Sequence, residues 1–140
     1  ALDPFNIAER RDLMKWVFDH DRPIYTQIIE QIKLFIASGE YSAGDKLPSV
    51  REMAQEAGVN PNTMQRAFAE LESEGLVFAN RTSGRFITED TDMVQNLKDE
   101  LASEAVKAFL DSMKRIGYSK EKTIELIKKS MKEKGEANNE

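Results

Sequence analysis

"KLPSVREMAQEAGVNPNTMQRAFAELESEGL", residues 46–76, predicts two short helices separated by a tight break. Ser49 stands three residues before a glutamate, which is the capping-box pattern of a helix N-terminus. Gly58 can end this first helix. Asn60 can cap the second helix, with Pro61 at its first position. The break spans only about three or four residues, which is the spacing of a helix-turn-helix.

The second helix of this pair combines an apolar stripe with an outward polar face. At about 100° per residue, the stripe comprises Met64, Ala67, Phe68 and Leu71. The opposite face of the first turns comprises Asn62, Thr63, Gln65 and Arg66. Arginine can bridge two guanine acceptors, and asparagine or glutamine can pair with adenine, so this face suits the edges of DNA bases. The alternative is an ordinary solvated surface, because outward polar residues are the default on an amphipathic helix.

The same helix becomes acidic after its first turns, at Glu70, Glu72 and Glu74. These carboxylates would repel phosphate if they lay in a DNA groove. We therefore expect the helix to enter a groove by its first turns only, as helix-turn-helix proteins usually do.

A longer helix precedes this pair and a β-hairpin follows it. Residues 23–38 have apolar side chains at helical spacing, and Asp21 can cap the helix. Tyr25, near its start, could contact a phosphate or pack against the hairpin. Residues 76–79 and 85–88 predict two short strands joined by a loop that contains glycine. Three helices followed by a hairpin is the order of a winged helix.

The charge of the chain is acidic, with a formal net value of −5, so a DNA surface must be a local basic face. Residues 1–90 contain 10 Lys+Arg and 15 Asp+Glu, whereas residues 91–140 contain 10 of each. Arg51 lies on the outer side of the first helix of the pair, and Arg81 and Arg85 lie at the hairpin. Such a face can act locally, because charges are felt over about 8–10 Å in physiological salt.

The C-terminal region predicts two helices with unpartnered apolar sides. The candidate interface residues are Met93, Leu97, Leu101, Ala105, Phe109, Met113, Ile116, Ile124 and Ile127. A helical hairpin of about 40 residues cannot build its own core, so we expect it to form a homodimer across a two-fold axis. The alternative is that these helices fold back onto the winged domain. A dimer would place two reading helices on the half-sites of an inverted repeat.

The predicted organisation has four parts. Residues 1–13 are a leader that could be left over from cloning, and residues 14–90 form a winged helix-turn-helix domain. Residues 91–134 form the helical dimerisation region, and residues 135–140 form a disordered tail. The fold class is therefore mainly α with a small β-hairpin, a winged helix-turn-helix domain followed by a C-terminal helical dimerisation hairpin.

The composition argues against several functional classes. The chain has no cysteine and one histidine, so we expect no thiol chemistry and no metal site. No nucleophile with a plausible base and no glycine-rich phosphate loop appears, so we expect neither an enzyme nor a cofactor. No apolar run approaches the ~18 residues of a membrane span, and no signal peptide is evident. We therefore expect a cytoplasmic protein without a membrane partner.

Residues 23–87 resemble the GntR family of bacterial transcription regulators. "GDKLPSVREMA" and "VNPNTMQRAFAELESEGL" are the most specific segments, because they combine caps, core and polar face in the family's order. The short helical C-terminus is similar to that of the YtrA-like subfamily, whose regulators lack a large effector domain. The resemblance implies a repressor that binds a double-stranded DNA operator. A winged-helix module that binds proteins instead of DNA is the alternative.

The resemblance also implies residue roles. Lys46 and Ser49 are implied to contact phosphates, and Arg51 to contact the DNA backbone or a base near the groove edge. The recognition helix is implied to read bases with the polar face defined above. The wing is implied to reach the minor groove with Arg81, Thr82, Ser83, Gly84 and Arg85, although Thr82 stands where the family often has its first glycine. A small-molecule effector could bind at the helical interface, and nothing in the sequence identifies it.

Overall fold

The computed structural model describes residues 16–80 and 82–138, with side chains as far as Gly135. Within these ranges the elements run in the following order: α1 (Ile24–Ser38), α2 (Val50–Ala57), α3 (Pro61–Ser73), β1 (Val77–Asn80), β2 (Gly84–Ile87), α4 (Thr91–Ile116) and α5 (Lys120–Asn138). The predicted fold class, mainly helical with a small hairpin after three helices, is confirmed. The predicted leader lies outside the described residues.

The chain divides into two compact units, Ala1–Asp99 and Glu100–Glu140. The first unit therefore extends nine residues beyond the predicted boundary at residue 90. The reason is that the start of α4 is part of the first unit's packing: Leu97 is buried, and Met93 lies so close to Gly75 that an added Cβ there would be 3.2 Å from Met93 Cε.

Side-chain caps begin the two helices of the helix-turn-helix as the sequence predicts. Ser49 Oγ accepts the backbone N–H of Glu52 at 3.1 Å, and Asn60 Oδ1 accepts that of Asn62 at 2.8 Å. Gly58, at φ 70°, ends α2 in the left-handed conformation that glycine adopts without strain. The turn between α2 and α3 is therefore three residues long, and it orients the two helices relative to each other.

The predicted cap at Asp21 is wrong. The residue before α1 is Pro23, which offers no side-chain hydrogen bond. The buried side chain of Gln27 bonds the incoming chain instead, because its amide accepts the Asp19 N–H and donates to the Asp19 carbonyl, both at 2.7 Å. Gln27, in the first turn of α1, therefore fixes the chain that enters the helix, which is the role that the sequence predicted for Asp21.

The core of the first unit forms where α1 and α2 both pack against α3. All four predicted stripe residues of α3 have 0% exposure, namely Met64, Ala67, Phe68 and Leu71. Ile28 and Ile32 of α1 and Met53 of α2 are equally buried. Burying a side chain of this size stabilises a fold by about 1.5–3 kcal/mol, so this cluster determines how α3 is oriented.

The hairpin strands pair antiparallel, with Asn80 opposite Gly84 at the turn. Each strand is shifted by one residue from its prediction, although the Thr88 N–H still bonds the Leu76 carbonyl at 2.9 Å. The free edge of β2 is covered by the chain before α2: Leu47 N–H bonds the Arg85 carbonyl at 2.8 Å. Because an isolated two-stranded hairpin is only marginally stable, the pairing of this third segment with β2 stabilises the wing and connects it to α2.

The second unit contains the end of α4 and all of α5. Gly117 follows α4, and Ser119 Oγ accepts the backbone N–H of Lys122 at 3.2 Å, which caps the start of α5. Met113 and Thr123 are buried within this unit, whereas Phe109 is 41% exposed. The helix α5 continues to Asn138, so the predicted disordered tail is wrong for residues 135–138. Extending an existing helix adds a hydrogen bond for each residue and needs no new nucleus.

The single chain already covers most of two predicted interface residues. Leu97 is 7% exposed and Met113 is 8% exposed, and Met113 also lines a groove between α4 and α5. The apolar stripe of α4 is continuous in sequence, and the sequence could not tell which of its residues the chain itself would cover. The other predicted positions are half-buried or exposed: Met93, Leu101, Ala105, Phe109, Ile116, Ile124 and Ile127.

Candidate nucleic-acid interface

The first turns of α3 present the predicted polar face. Asn62, Gln65 and Arg66 are exposed, and Thr63 is half-buried. Their backbone is fixed by the Asn60 cap at one end and by the buried stripe beneath, so the helix holds these side chains on one outward surface. An amide pair, a hydroxyl and a guanidinium on one face can contact base edges in a major groove.

Arg66 is not surrounded by solvent alone. Its Cζ lies 3.8 Å from the centre of the Tyr25 ring, at the start of α1. The sequence suggested that Tyr25 contacts a phosphate or packs against the hairpin, and it did not suggest a contact with Arg66. Only the packing of α1 against α3 brings the two side chains together.

Three of the residues predicted to contact DNA, namely Lys46, Ser49 and Arg51, lie just before α2 or in its first turn. Lys46 forms a β-bridge with Phe86, and its Cε would lie 3.3 Å from a Cβ added at Gly84. The Ser49 hydroxyl accepts a backbone N–H and keeps its own proton for donation. Arg51 is exposed in the first turn of α2. The structure thus brings Lys46 directly alongside the wing.

The wing turn is organised by an asparagine. Asn80 Oδ1 accepts the N–H of Thr82 at 3.1 Å and its hydroxyl at 3.0 Å, and the Asn80 carbonyl accepts the N–H of Ser83 at 3.3 Å. Such side-chain bonds to the backbone two residues on are typical of turns. Thr82 therefore holds the turn at the position where the family often has glycine. Arg81 lies outside the described residues, and its predicted role stays a prediction.

Arg85 is engaged within the protein. Its Nε lies 2.5 Å from Glu72 Oε1 of α3, and its guanidinium carbon lies 5.6 Å from the centre of the Phe68 ring. Both side chains of the ion pair are largely shielded, with 26% and 30% exposure. Arg85 thus joins the wing to α3, and it would have to leave Glu72 to enter a minor groove.

The acids at the end of α3 are partly neutralised, which the sequence did not reveal. Glu72 pairs with Arg85, and Glu74 pairs with Lys33 at 3.1 Å. These pairs reduce the repulsion of phosphate that the acidic end would otherwise produce. Lys46, Arg51 and Arg66 are exposed cations elsewhere on the first unit.

The described part of the chain holds neither a metal-binding cluster nor a membrane span. No group of three or more His, Cys, Asp or Glu side chains that could hold a metal ion occurs there. None of the helices in that part combines the length and apolar character needed to cross a bilayer.

Comparisons with known proteins point to one family. The family model described as bacterial regulatory proteins, gntR family, matches residues 24–87. The chain is 46% identical over 111 residues to the HTH-type transcriptional regulator YhcF of Bacillus subtilis, covering 79% of this chain and 92% of that protein. It is 41% identical over 108 residues to the B. subtilis HTH-type transcriptional repressor YtrA, covering 76% and 82%.

Two solved structures agree with these sequence matches. A GntR family transcriptional regulator from Listeria monocytogenes matches with a TM-score of 0.74 and 43% identity, covering 80% of this chain and 98% of that one. A transcriptional regulator from Oenococcus oeni matches with a TM-score of 0.68 and 30% identity, covering 82% and 96%. The similarity therefore extends beyond the helix-turn-helix.

Proposed function

The chain belongs to the GntR family of bacterial regulatory proteins, and from this premise we propose that it is a repressor that binds an inverted-repeat operator as a homodimer. Regulation of transcription through DNA binding follows from the family, whose matching members are regulators and not enzymes. Repression, operator symmetry and the homodimer are our proposals. A cytoplasmic location, where bacterial DNA is found, is part of the same proposal.

The outward face of α3 is the observation that carries the proposal. Asn62, Gln65 and Arg66 are exposed on a capped helix whose opposite side is fully buried. Among the residues that the structure describes, no carboxylate forms an ion pair with Arg66, so its donors are available to a ligand. A rigid helix with unengaged amide and guanidinium groups suits direct reading of the major groove.

The remaining predicted contacts support a DNA duplex crossing the first unit. Lys46 and Ser49 precede α2, and the wing turn at Thr82, Ser83 and Gly84 adjoins Lys46. We assign Lys46, Ser49 and Arg51 to phosphate or groove-edge contacts, because backbone contacts of this kind orient a protein on DNA. The wing turn would follow the adjacent minor groove.

A second copy of the chain is the proposed partner of the second unit. Val106, Phe109, Leu110 and Ile124 are exposed there, with exposed fractions between 41% and 54%. A groove of about 590 Å³ between the two helices is lined by apolar and polar side chains in equal number, and Met113 and Ile124 are among the apolar ones. Clustered exposed apolar side chains mark an interaction surface, and a two-fold dimer would cover them on both copies. The predicted small-molecule effector stays a prediction.

Repression is supported by a relative that covers most of the chain. YtrA, a repressor by name, shares 41% identity over most of its length. We propose that this protein likewise lowers transcription by occupying an operator that overlaps a promoter. Two reading helices on one dimer would bind two half-sites, so operator symmetry would match protein symmetry.

The test is selection of bound duplexes from a random DNA pool with the full chain at about 0.15 M salt. Enrichment of one inverted repeat is expected, and placing that repeat over a reporter promoter should lower reporter output when the protein is present. Failure to enrich any sequence with folded, dimeric protein would contradict the proposal and favour a protein-binding winged helix. Binding with a steep salt dependence would separate DNA contact from a mostly apolar protein interface.

A further inference from the structure

The side chain of Arg66 is held on the ring of a residue outside the helix-turn-helix. Its guanidinium carbon lies 3.8 Å from the ring centre of Tyr25, which is the second residue of α1 and is half-buried. This distance is well within the range of a cation–π contact. The contact joins the side chain proposed to read a base to a helix that packs against α3 from the protein side.

Arg66 adopts this contact although an acid is available on its own helix. Glu70 stands four residues further on, at a spacing where arginine and glutamate can pair. Over residues 16–80 and 82–135, Arg66 forms no ion pair with any carboxylate. Side chains on a helix lean toward its N-terminus, which directs Arg66 away from Glu70 and toward the first turns of α3.

The contact places the guanidinium carbon of Arg66 over the Tyr25 ring and is not a hydrogen bond to a protein acceptor. An arginine carries five N–H donors, and those of Arg66 make no ion pair with a described carboxylate. Arg85 is the contrasting case, because its Nε donates to Glu72 and is thereby engaged. Of these two arginines, Arg66 combines a fixed position with unengaged donors, which is the state that a base-reading side chain requires.

We propose that Tyr25 is a positioning residue for sequence reading, which holds Arg66 in the orientation that meets a base. Ordering a long side chain on binding costs free energy, and a side chain that is already ordered loses less. Tyr25 itself needs no contact with DNA for this effect. The inference rests on the proposed function, in which Arg66 reads a base pair of the operator.

The experiment compares Tyr25→Leu and Tyr25→Phe in the full chain and in the Arg66→Ala variant. Binding is measured to the selected operator and to a scrambled duplex of equal length. Tyr25→Leu should weaken operator binding about three- to tenfold, leave scrambled DNA nearly unchanged, and relax preference at one base pair. Tyr25→Phe keeps the ring and should restore operator binding. In the Arg66→Ala background, Tyr25→Leu should cause no further loss.

The outcomes separate the inference from the proposed function. Equal losses for Tyr25→Phe and Tyr25→Leu on both duplexes would overturn it in favour of a hydroxyl–phosphate contact. A full loss for Tyr25→Leu in the Arg66→Ala background would overturn it as well. If wild type prefers the operator and Arg66→Ala removes that preference, the proposed function stands even where Tyr25→Leu has no effect. A wild-type protein without any preference would overturn both.

A measurement without DNA tests the contact itself. The Arg66 Nε–Hε resonance in NMR spectra should show a ring-current shift that Tyr25→Phe preserves and Tyr25→Leu abolishes. Thermal unfolding shows whether Tyr25→Leu remains folded. If that variant unfolds, the wild-type and Tyr25→Phe spectra still decide the question, since the absence of the shift in both would overturn the inference.

Discussion

Arg85 of the wing and Glu72 of the recognition helix form an ion pair, with 2.5 Å between Nε and Oε1. This pair connects β2 to α3, and the guanidinium carbon of Arg85 lies 5.6 Å from the centre of the Phe68 ring. An arginine that the sequence suggested for DNA therefore holds the wing against the recognition helix in the protein alone. This contact indicates a structural role for Arg85, and mutation of Glu72 can separate that role from DNA binding.

Glu72→Gln should lower the free energy of unfolding by about 1 kcal/mol, because it removes a partly shielded, charge-assisted hydrogen bond. Urea denaturation measures this change. Glu70→Gln is the matched control, since it removes the same charge from an exposed site on the same helix. An equal effect of both variants would show that helix charge, and not the pair with Arg85, is responsible.

Ser49 combines a cap with a proposed phosphate contact, and two substitutions separate these roles. Ser49→Ala should lower the free energy of unfolding by about 1 kcal/mol, because the Glu52 N–H loses its acceptor. Ser49→Asp restores a capping oxygen and should retain stability. The added negative charge should nevertheless weaken binding to all duplexes. Wild-type DNA affinity for Ser49→Asp would remove Ser49 from the interface.

Arg66→Ala and Arg51→Ala should affect DNA binding differently. Arg66→Ala should cost about 1–3 kcal/mol on the selected operator and relax preference at one base pair. Arg51→Ala should weaken operator and scrambled duplexes by similar factors if it contacts phosphate. Fluorescence anisotropy on both duplexes measures the ratio. A loss for Arg66→Ala that is the same on both duplexes would contradict base reading by this residue.

Lys46 should contribute to the salt dependence of binding. A phosphate contact adds about −0.9 to the slope of log K against log salt, so Lys46→Ala should reduce the slope by about 1. Affinity is measured between low and physiological salt. Lys33→Ala provides the control, because the Lys33 ammonium already pairs with Glu74. An unchanged slope for Lys46→Ala would place Lys46 away from the DNA backbone.

Phe109→Asp should convert the proposed dimer into a monomer, because it buries a carboxylate without a partner at the interface. Sedimentation velocity measures the mass, and operator affinity should fall with it. Ser103→Asp adds the same charge to α4, about 120° from Phe109 around the helix, and should remain dimeric. A Phe109→Asp variant that stays dimeric would show that this exposed side chain lies outside the contact.

Much of the site was predictable because local chemistry determines it. The Asn60 cap and the apolar stripe of α3 depend on residues close in sequence, so their spacing alone placed Arg66 on the outer face. The engagement of Arg85 could not be predicted in the same way. Glu72 lies 13 residues away, and the two meet only when the hairpin folds against α3.

The predicted dimerisation region shows the same limit. The apolar pattern correctly predicted two helices in this region, since a repeating pattern reports local geometry. The periodicity could not distinguish Leu97, which the chain itself covers, from Phe109, which it leaves exposed. Both residues look identical as members of one apolar stripe.

The sequence by itself determined the order of helices and strands, the caps of α2 and α3, the family and the polar face of α3. These features depend on residue types at short spacing, where propensity and hydrogen bonding act locally. Only the tertiary structure decided that Tyr25 lies under Arg66 and that Arg85 is bound to Glu72. Such pairings form when packed elements bring distant side chains together, and no local pattern encodes them.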